Sequence, residues 1–222
     1  MFVSITEDFE INMEDLAEKI TSNTRVVSIT GGSNVTGTLP DWTAISSMVR
    51  SKQSSDNPIY LIMDGSQLVA HEPLRVKELD LDFAFFTGHK VFADMGIGVL
   101  FGKKSHLKMM KPSIGGGGAI NYVTETDFEF AGLPFRYEPG TPNVSGAVSL
   151  LSAFQYIESI GGYTAIREYE KKIIQRMLDG FEQRKNYLNF YGSKNPEKRT
   201  GVFSFSFPGK HSGDMAEKFA LK

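Results

Sequence analysis

The chain has 222 residues, 41% of them apolar, enough to bury a sizeable core as one large domain or as one domain and part of a second. Its 24 basic and 26 acidic residues leave a formal net charge of -2, which offers no basic surface to nucleic acid or to a membrane. Cysteine is absent, which excludes disulfides, thiolate metal sites and a cysteine nucleophile within these residues. No run is long and apolar enough to span a bilayer, and the acidic start MFVSITEDFEIN lacks the pattern of a signal peptide. The cytoplasm is the expected compartment.

Residues 2–5 read as a short strand, and Asn12 as the N-cap of a helix whose apolar face carries Met13, Leu16, Ala17 and Ile20. Residues 25–30 read as a strand that runs into the polar turn Gly31-Gly32-Ser33-Asn34. Pro40 and Asp41 lead into a second helix with Trp42, Ile45, Met48 and Val49 inward, and residues 60–63 form the next strand. This strand–helix–strand–helix–strand order predicts a mostly parallel sheet with helices on its faces. Residues 83–86 and 98–101 supply two further strands, and residues 103–109 a short helical turn. The four glycines from Gly115 to Gly118 make a flexible loop.

After the irregular, proline-containing segment AGLPFRYEPGTP, two helices follow, broken at Gly161-Gly162. The first places Ala147, Leu150, Leu151, Phe154, Ile157 and Ile160 inward; the second, over residues 163–185, places Ile166, Ile173, Ile174, Met177, Leu178 and Phe181 inward. Residues 187–191 and 201–207 read as strands, and the last residues as the start of a helix. The chain starts on a strand with no sheet before it and ends inside a helix, so both ends are expected to be cut.

The chemistry gathers where strands stop. Asp64 ends one strand, and Thr87, Gly88, His89 and Lys90 end the next. In open α/β sheets ligands bind beyond the carboxyl ends of the strands, so these groups share one rim. A lysine there can form a Schiff base, whereas a lysine taken alone is most often a solvated surface group. Asp64 suits a protonated pyridine nitrogen, or is a helix-capping or salt-bridging carboxylate. Gln67 can donate to a phenolic oxygen, and Thr87 and His89 can contact a phosphate. Asn34 can orient a carboxylate, or simply form a turn. Arg136, Glu138, Gly140 and Thr141 either close a pocket or cross an interface, or form a solvated hinge. Gly96-Ile97-Gly98 follows Lys90 rather than a first strand and lacks the third glycine of a dinucleotide loop, and the four histidines are scattered, so dinucleotide and metal sites are set aside.

The segment DFAFFTGHK with GIGVL after it resembles the lysine segment of class V aminotransferases. The nearest branch is that of the cysteine desulfurases of the sulfur-mobilising type, with selenocysteine lyases beside them. SNVTGT, DGSQ, the following His71-x-Pro73, GGG and RYEPGTPN occur in the family's order, and the likeness extends over essentially the whole chain. The resemblance implies the α/β fold-type I architecture of pyridoxal phosphate enzymes. Residues 1–142 would belong to the large cofactor-binding domain, 143–185 to a long helical connection and 186–222 to the start of a small C-terminal α+β domain. It implies pyridoxal 5'-phosphate as cofactor, held by Lys90 as a Schiff base, with Lys90 also moving protons. Asp64 would pair with the pyridine nitrogen, Gln67 with the phenolic oxygen, and Thr87 and His89 with the phosphate. Asn34 would place the substrate carboxylate, and Thr141 would reach the phosphate held by the other subunit of a homodimer.

The implied reaction takes sulfur from L-cysteine, leaving alanine and an enzyme persulfide whose sulfur passes to an acceptor protein for iron–sulfur cluster assembly. Thr87 stands where the family usually has serine, and Ala93-Asp94 where it usually has Gly-Pro. Family members are longer. Their nucleophilic cysteine and their substrate-binding arginine would lie beyond Lys222, so the chain is expected to be a fragment. Two alternatives stay open: another class V aminotransferase or lyase acting on a small amino acid, and a non-catalytic fragment or partner subunit.

Overall fold

The computed structural model describes residues 1–221. Asn12 caps helix α1 (Met13–Lys19), its side-chain oxygen accepting from the Glu14 and Asp15 amides. Strand β1 (Val26–Thr30) follows, then helix α2 (Trp42–Lys52), which Asp41 caps by accepting from the Ala44 amide. Strands β2 (Tyr60–Asp64) and β3 (Phe83–Thr87) complete a parallel trio in the order β1-β2-β3. Strand β4 (Gly98–Gly102) is added antiparallel to β3, with Thr87 opposite Gly98. The mostly parallel sheet expected from the element order is therefore present, with one reversed edge strand. Reversal follows from the short link: residues 88–97 can turn the chain back but cannot make the long crossover that a parallel neighbour needs.

The main core lies between this sheet and α1 and α2. Leu16, Ile45, Val49, Leu61, Met63 and Leu81 are each at most 1% exposed. The indole Nε1–H of Trp42 donates to the Thr30 carbonyl at 3.2 Å, tying α2 to the end of β1. At the start of the strands, Asp82 is buried and accepts from the Leu61 amide at 2.8 Å.

Helix α3 (Lys104–Met109) follows β4. A small antiparallel hairpin, β5 (Ile120–Val123) and β6 (Phe128–Phe130), comes next; no strand was expected there. Asn143 caps helix α4 (Val144–Ser159), and Gly161 and Gly162, at φ +100 and +71, break the chain before helix α5 (Gly162–Gln183). A second, smaller core of Val69, Val91 and Ile157, flanked by Phe86, Phe154 and Tyr163, packs α4 and α5 against the turn after β2 and the segment after Lys90. Strands β7 (Asn189–Tyr191) and β8 (Ser204–Ser206) form an antiparallel pair, and helix α6 (Ser212–Ala220) follows.

Three expectations are corrected. Residues 2–5 are not a strand: only Ile5 forms an isolated bridge, with Ile11. On α4, Ala147 and Leu151 are exposed, as is Ile160 just past its end, and on α5 Ile173 and Met177 are exposed, so none of these five belongs to the buried face. Ile157, Ile174 and Leu178, expected inward, are buried, and Ala153 joins them. Period alone sets a stripe on a helix but not which part of that stripe meets the sheet.

Candidate active site

The rim predicted from strand ends is assembled by register. Thr30 pairs with Asp64, and Asp64 with Phe85, so the ends of β1, β2 and β3 lie side by side. Adjacent strands are about 4.8 Å apart, which places Asp64 beside the last residues of β3. The Gly31 amide donates to the Asp64 carbonyl at 2.6 Å, and the Gly65 amide to the Phe85 carbonyl at 2.8 Å, extending the pairing one residue past each strand. A Cβ on Gly65 would lie 2.4 Å from Leu74 Cδ1, and one on Gly88 2.4 Å from Ile97 Cγ2. Glycine at these two positions lets backbone and side chains close around the rim.

Asp64 is half-buried, and its carboxylate accepts from the Ser66 amide at 2.9 Å, which fixes the turn that carries Gln67. Residues Gly88–Lys90 form a single 3-10 turn directly after β3, so Thr87, His89 and Lys90 share the end of one element. Thr87 Oγ1 and His89 Nδ1 are hydrogen-bonded at 2.7 Å, with the imidazole exposed. Lys90 is half-buried and makes no hydrogen bond or ion pair among the described residues. The next residue, Val91, is fully buried against Val69 and Ile157, so the lysine's backbone is anchored while its amine stays unpaired.

Asn34 lies in an exposed turn after β1, and Thr141 in the exposed segment before α4. Asp64, Gln67, Thr87, His89 and Lys90 are thus gathered at neighbouring ends of β2 and β3. Asn34 follows the end of β1 on the same edge. Among the described residues no hydrogen bond joins Thr141 to the rest of the set. Arg136 places its guanidinium 5.6 Å from the Phe130 ring centroid and 5.7 Å from that of Tyr137, and the Gly140 amide donates to the Gly117 carbonyl at 2.9 Å. The polar loop is therefore tied to the glycine-rich loop rather than being a free hinge.

Two residues with no assigned role turn out to hold the lysine segment. The Asn143 amide nitrogen donates to the Gly96 carbonyl at 3.0 Å, while its oxygen accepts from the Gly146 amide at 2.9 Å. The Asp94 amide donates to Ser149 Oγ at 2.9 Å. The loop after Lys90 is thereby fastened to the first turns of α4. An asparagine before an apolar helix already signals an N-cap in the sequence; its second bond, 47 residues away, is a product of packing.

Comparison with known proteins places the fold in a family. The model of the aminotransferase class-V family matches residues 1–220. A probable cysteine desulfurase of Halalkalibacterium halodurans is 34% identical over 215 residues, covering 97% of this chain and 50% of that protein. A cysteine desulfurase of Pectobacterium atrosepticum is also 34% identical, covering 95% and 50%. Among solved structures, the apo cysteine desulfurase of Thermococcus onnurineus superposes with a TM-score of 0.88 at 28% identity, covering 100% of this chain and 53% of that one. The S-sulfonic acid form of an Escherichia coli cysteine desulfurase gives 0.82 at 28% identity, covering 98% and 52%. The chain spans about half the length of the curated relatives it matches. A match over nearly every residue, on a fold with the strand-end lysine in place, shows that the chain belongs to the class V aminotransferase family.

Proposed function

We propose that this chain is the lysine-bearing part of a pyridoxal phosphate-dependent cysteine desulfurase. Membership in the class V aminotransferase family implies a pyridoxal phosphate cofactor, and the donor set fits one. A half-buried amine without a partner stands on the same rim as a carboxylate, a carboxamide, a hydroxyl and an imidazole. That convergence, with Lys90 unpaired among the described residues, is the observation that carries the reading.

Lys90 would bind the aldehyde carbon, Asp64 the pyridine nitrogen, Gln67 the phenolic oxygen, and Thr87 and His89 the phosphate. When bound, the cofactor supplies an electron sink for the amino acid's Cα. The chain's own residues do the rest. The Asp64 carboxylate holds a proton on the ring nitrogen. Lys90 Nζ takes the proton from the substrate Cα and returns it. His89 has Nδ1 committed to the Thr87 hydroxyl, which leaves Nε2 to hold or release a proton. Asn34 orients the substrate carboxylate with its side-chain amide. None of these residues supplies the sulfur-accepting thiol, since the chain has no cysteine.

L-cysteine as substrate is supported by the names of the relatives; alanine as product and a sulfur-acceptor protein serving iron–sulfur cluster assembly complete the reading we propose. A homodimer in which Thr141 reaches the partner's phosphate is supported by the exposed apolar residues Phe92, Val148, Leu151 and Tyr156 beside the lysine segment. No described helix is long and apolar enough to cross a membrane; the cytoplasm remains our assignment. The same reading divides the chain into 1–142, 143–185 and 186–222 as cofactor domain, helical connection and the start of the small domain.

The test is an absorbance spectrum with added pyridoxal phosphate, followed by borohydride reduction and peptide mapping, for the wild type and Lys90→Ala. A visible band lost in Lys90→Ala, with the reduced label on Lys90, is expected. Labelling spread over surface lysines and unchanged in Lys90→Ala would overturn the assignment.

A further inference from the structure

The turn that carries Asn34 is held from far along the chain. Within the turn, Ser33 Oγ accepts from the Val35 and Thr36 amides at 3.2 and 3.0 Å. The Ser33 amide also donates to the Thr38 carbonyl at 2.9 Å and the Gly37 amide to the Ser33 carbonyl at 3.1 Å, and further anchors come from residues 198–204. The Leu39 amide donates to the Lys198 carbonyl at 2.9 Å, and the Thr200 amide donates to the Gly37 carbonyl at 2.8 Å. The Ser204 hydroxyl donates to the Val35 carbonyl.

Arg199 sits at the centre of this junction and is completely buried. Its Nη1 donates to the Ser193 carbonyl at 2.6 Å, and its Nη2 donates to the Val202 carbonyl and, at 3.3 Å, to the Thr36 carbonyl. Its guanidinium lies 4.8 Å from the Phe190 ring centroid and 4.5 Å from that of Phe203. Among the described residues it has no carboxylate partner. Two glycines let the backbones close in: a Cβ on Gly37 would meet the Val202 carbonyl oxygen at 2.5 Å, and one on Gly192 the Thr36 carbonyl oxygen at 2.5 Å.

Burying a cation without an anion is costly, and an apolar side chain of similar volume is usually the more stable filling. What an apolar residue lacks is a planar fork with five donors, able to hold carbonyls from separate segments in one geometry. Here the fork joins the turn after β1 to the β7–β8 unit.

We propose that Arg199 is a positioning residue for the amino-acid substrate: it locks the 33–38 turn to the β7–β8 unit, so that Asn34 is presented at the strand-end rim in one geometry. This rests on the assignment of Asn34 to the substrate carboxylate. The unit that carries Arg199 thereby sets the carboxylate end of a site whose lysine lies on another element.

The test compares wild type, Arg199→Lys, Asn34→Ala and the double variant. A lysine keeps the charge but has one nitrogen where the guanidinium uses two, so it cannot reproduce the contacts of both Nη1 and Nη2. In the cofactor-free chain, Arg199→Lys should speed amide hydrogen exchange in the 33–38 turn about 10-fold, the equivalent of one lost hydrogen bond, with the strands of the main sheet unchanged. In the complete protein it should raise the KM for L-cysteine about 10-fold with a smaller change in kcat, and should add nothing in the Asn34→Ala background. Unchanged exchange in the turn overturns the clamp. An equal rise in KM with and without Asn34 overturns the positioning role and leaves a structural one. Should Arg199→Lys not fold, Ser204→Ala removes one anchor of the same turn and should speed exchange there about threefold, a change that one weak hydrogen bond accounts for; no change overturns the clamp. The exchange arm uses no cofactor, so a wild type that takes no label on Lys90 refutes the functional reading without touching it.

Discussion

Replacing Asp82 by asparagine tests the packing logic at the end of the sheet away from the rim. The Asp82 side chain is 5% exposed and meets Arg50 Nη2 at 2.8 Å, Lys103 Nζ at 2.8 Å and His106 Nε2 at 2.9 Å. The Leu61 amide completes its shell. Burial pushes its carboxyl upward, but Lys103, the Leu61 amide, Arg50 and His106 together outweigh burial and hold it at about 2, against 3.8 for a free group. A shift of that size corresponds to roughly 2–3 kcal/mol in favour of the ionised form. The asparagine variant loses that and leaves the half-buried Arg50 and Lys103 with Asp80 as their remaining carboxylate, so about 3 kcal/mol of stability should go. With urea slopes of about 1–3 kcal/mol/M, the denaturation midpoint followed by circular dichroism should fall by about 1–3 M at pH 7.

The pH dependence has a definite sign. The folded-state pKa lies below the unfolded one, so the contribution is complete above about pH 4 and is lost as pH falls towards 2. About half of it should be gone at pH 3, and the gap between wild type and variant should narrow accordingly. A variant within about 0.5 kcal/mol of wild type at pH 7, the range of an ordinary surface substitution, would refute the reasoning.

Asn143→Ala removes both a helix cap and the bond to the Gly96 carbonyl; it should cost about 1–2 kcal/mol and lower Tm by roughly 2–8 °C, with faster exchange in residues 91–97. Tyr163→Phe removes the hydroxyl that donates to the Val69 carbonyl at 2.8 Å and should cost about 1 kcal/mol in urea denaturation. Burial raises the Tyr163 phenol above its usual 10.0, so the wild type should lose stability as pH rises beyond 10 and Tyr163→Phe should lose less.

Much of the architecture was legible because its signals are local. Asn12, Asp41 and Asn143 precede apolar periods and cap helices. Gly161-Gly162 breaks the helical run where positive φ is needed. The apolar runs that stop at Asp64 and at Thr87–Lys90 are strands that stop there. Strand ends of a parallel sheet share an edge, so placing Asp64 near Lys90 required only the element order.

What the sequence could not supply depends on contacts between residues far apart. Periodicity put Leu151 and Ile173 on apolar stripes, but the rotation of α4 and α5 against the second core decided that they face outward. A lone arginine at position 199 looks like any solvated cation; only the meeting of residues 36, 193 and 202 around it makes it a buried clamp. Asp82 likewise acquires its partners from α2, the residue after β4, and α3, which lie 21 to 32 positions away and converge only when the sheet closes. Local chemistry, set by neighbouring residues, determined where the strands, the caps and the strand-end lysine lie. The fixing of those groups in space came from long-range hydrogen bonds and packing, whose geometry exists only once distant segments have been brought together.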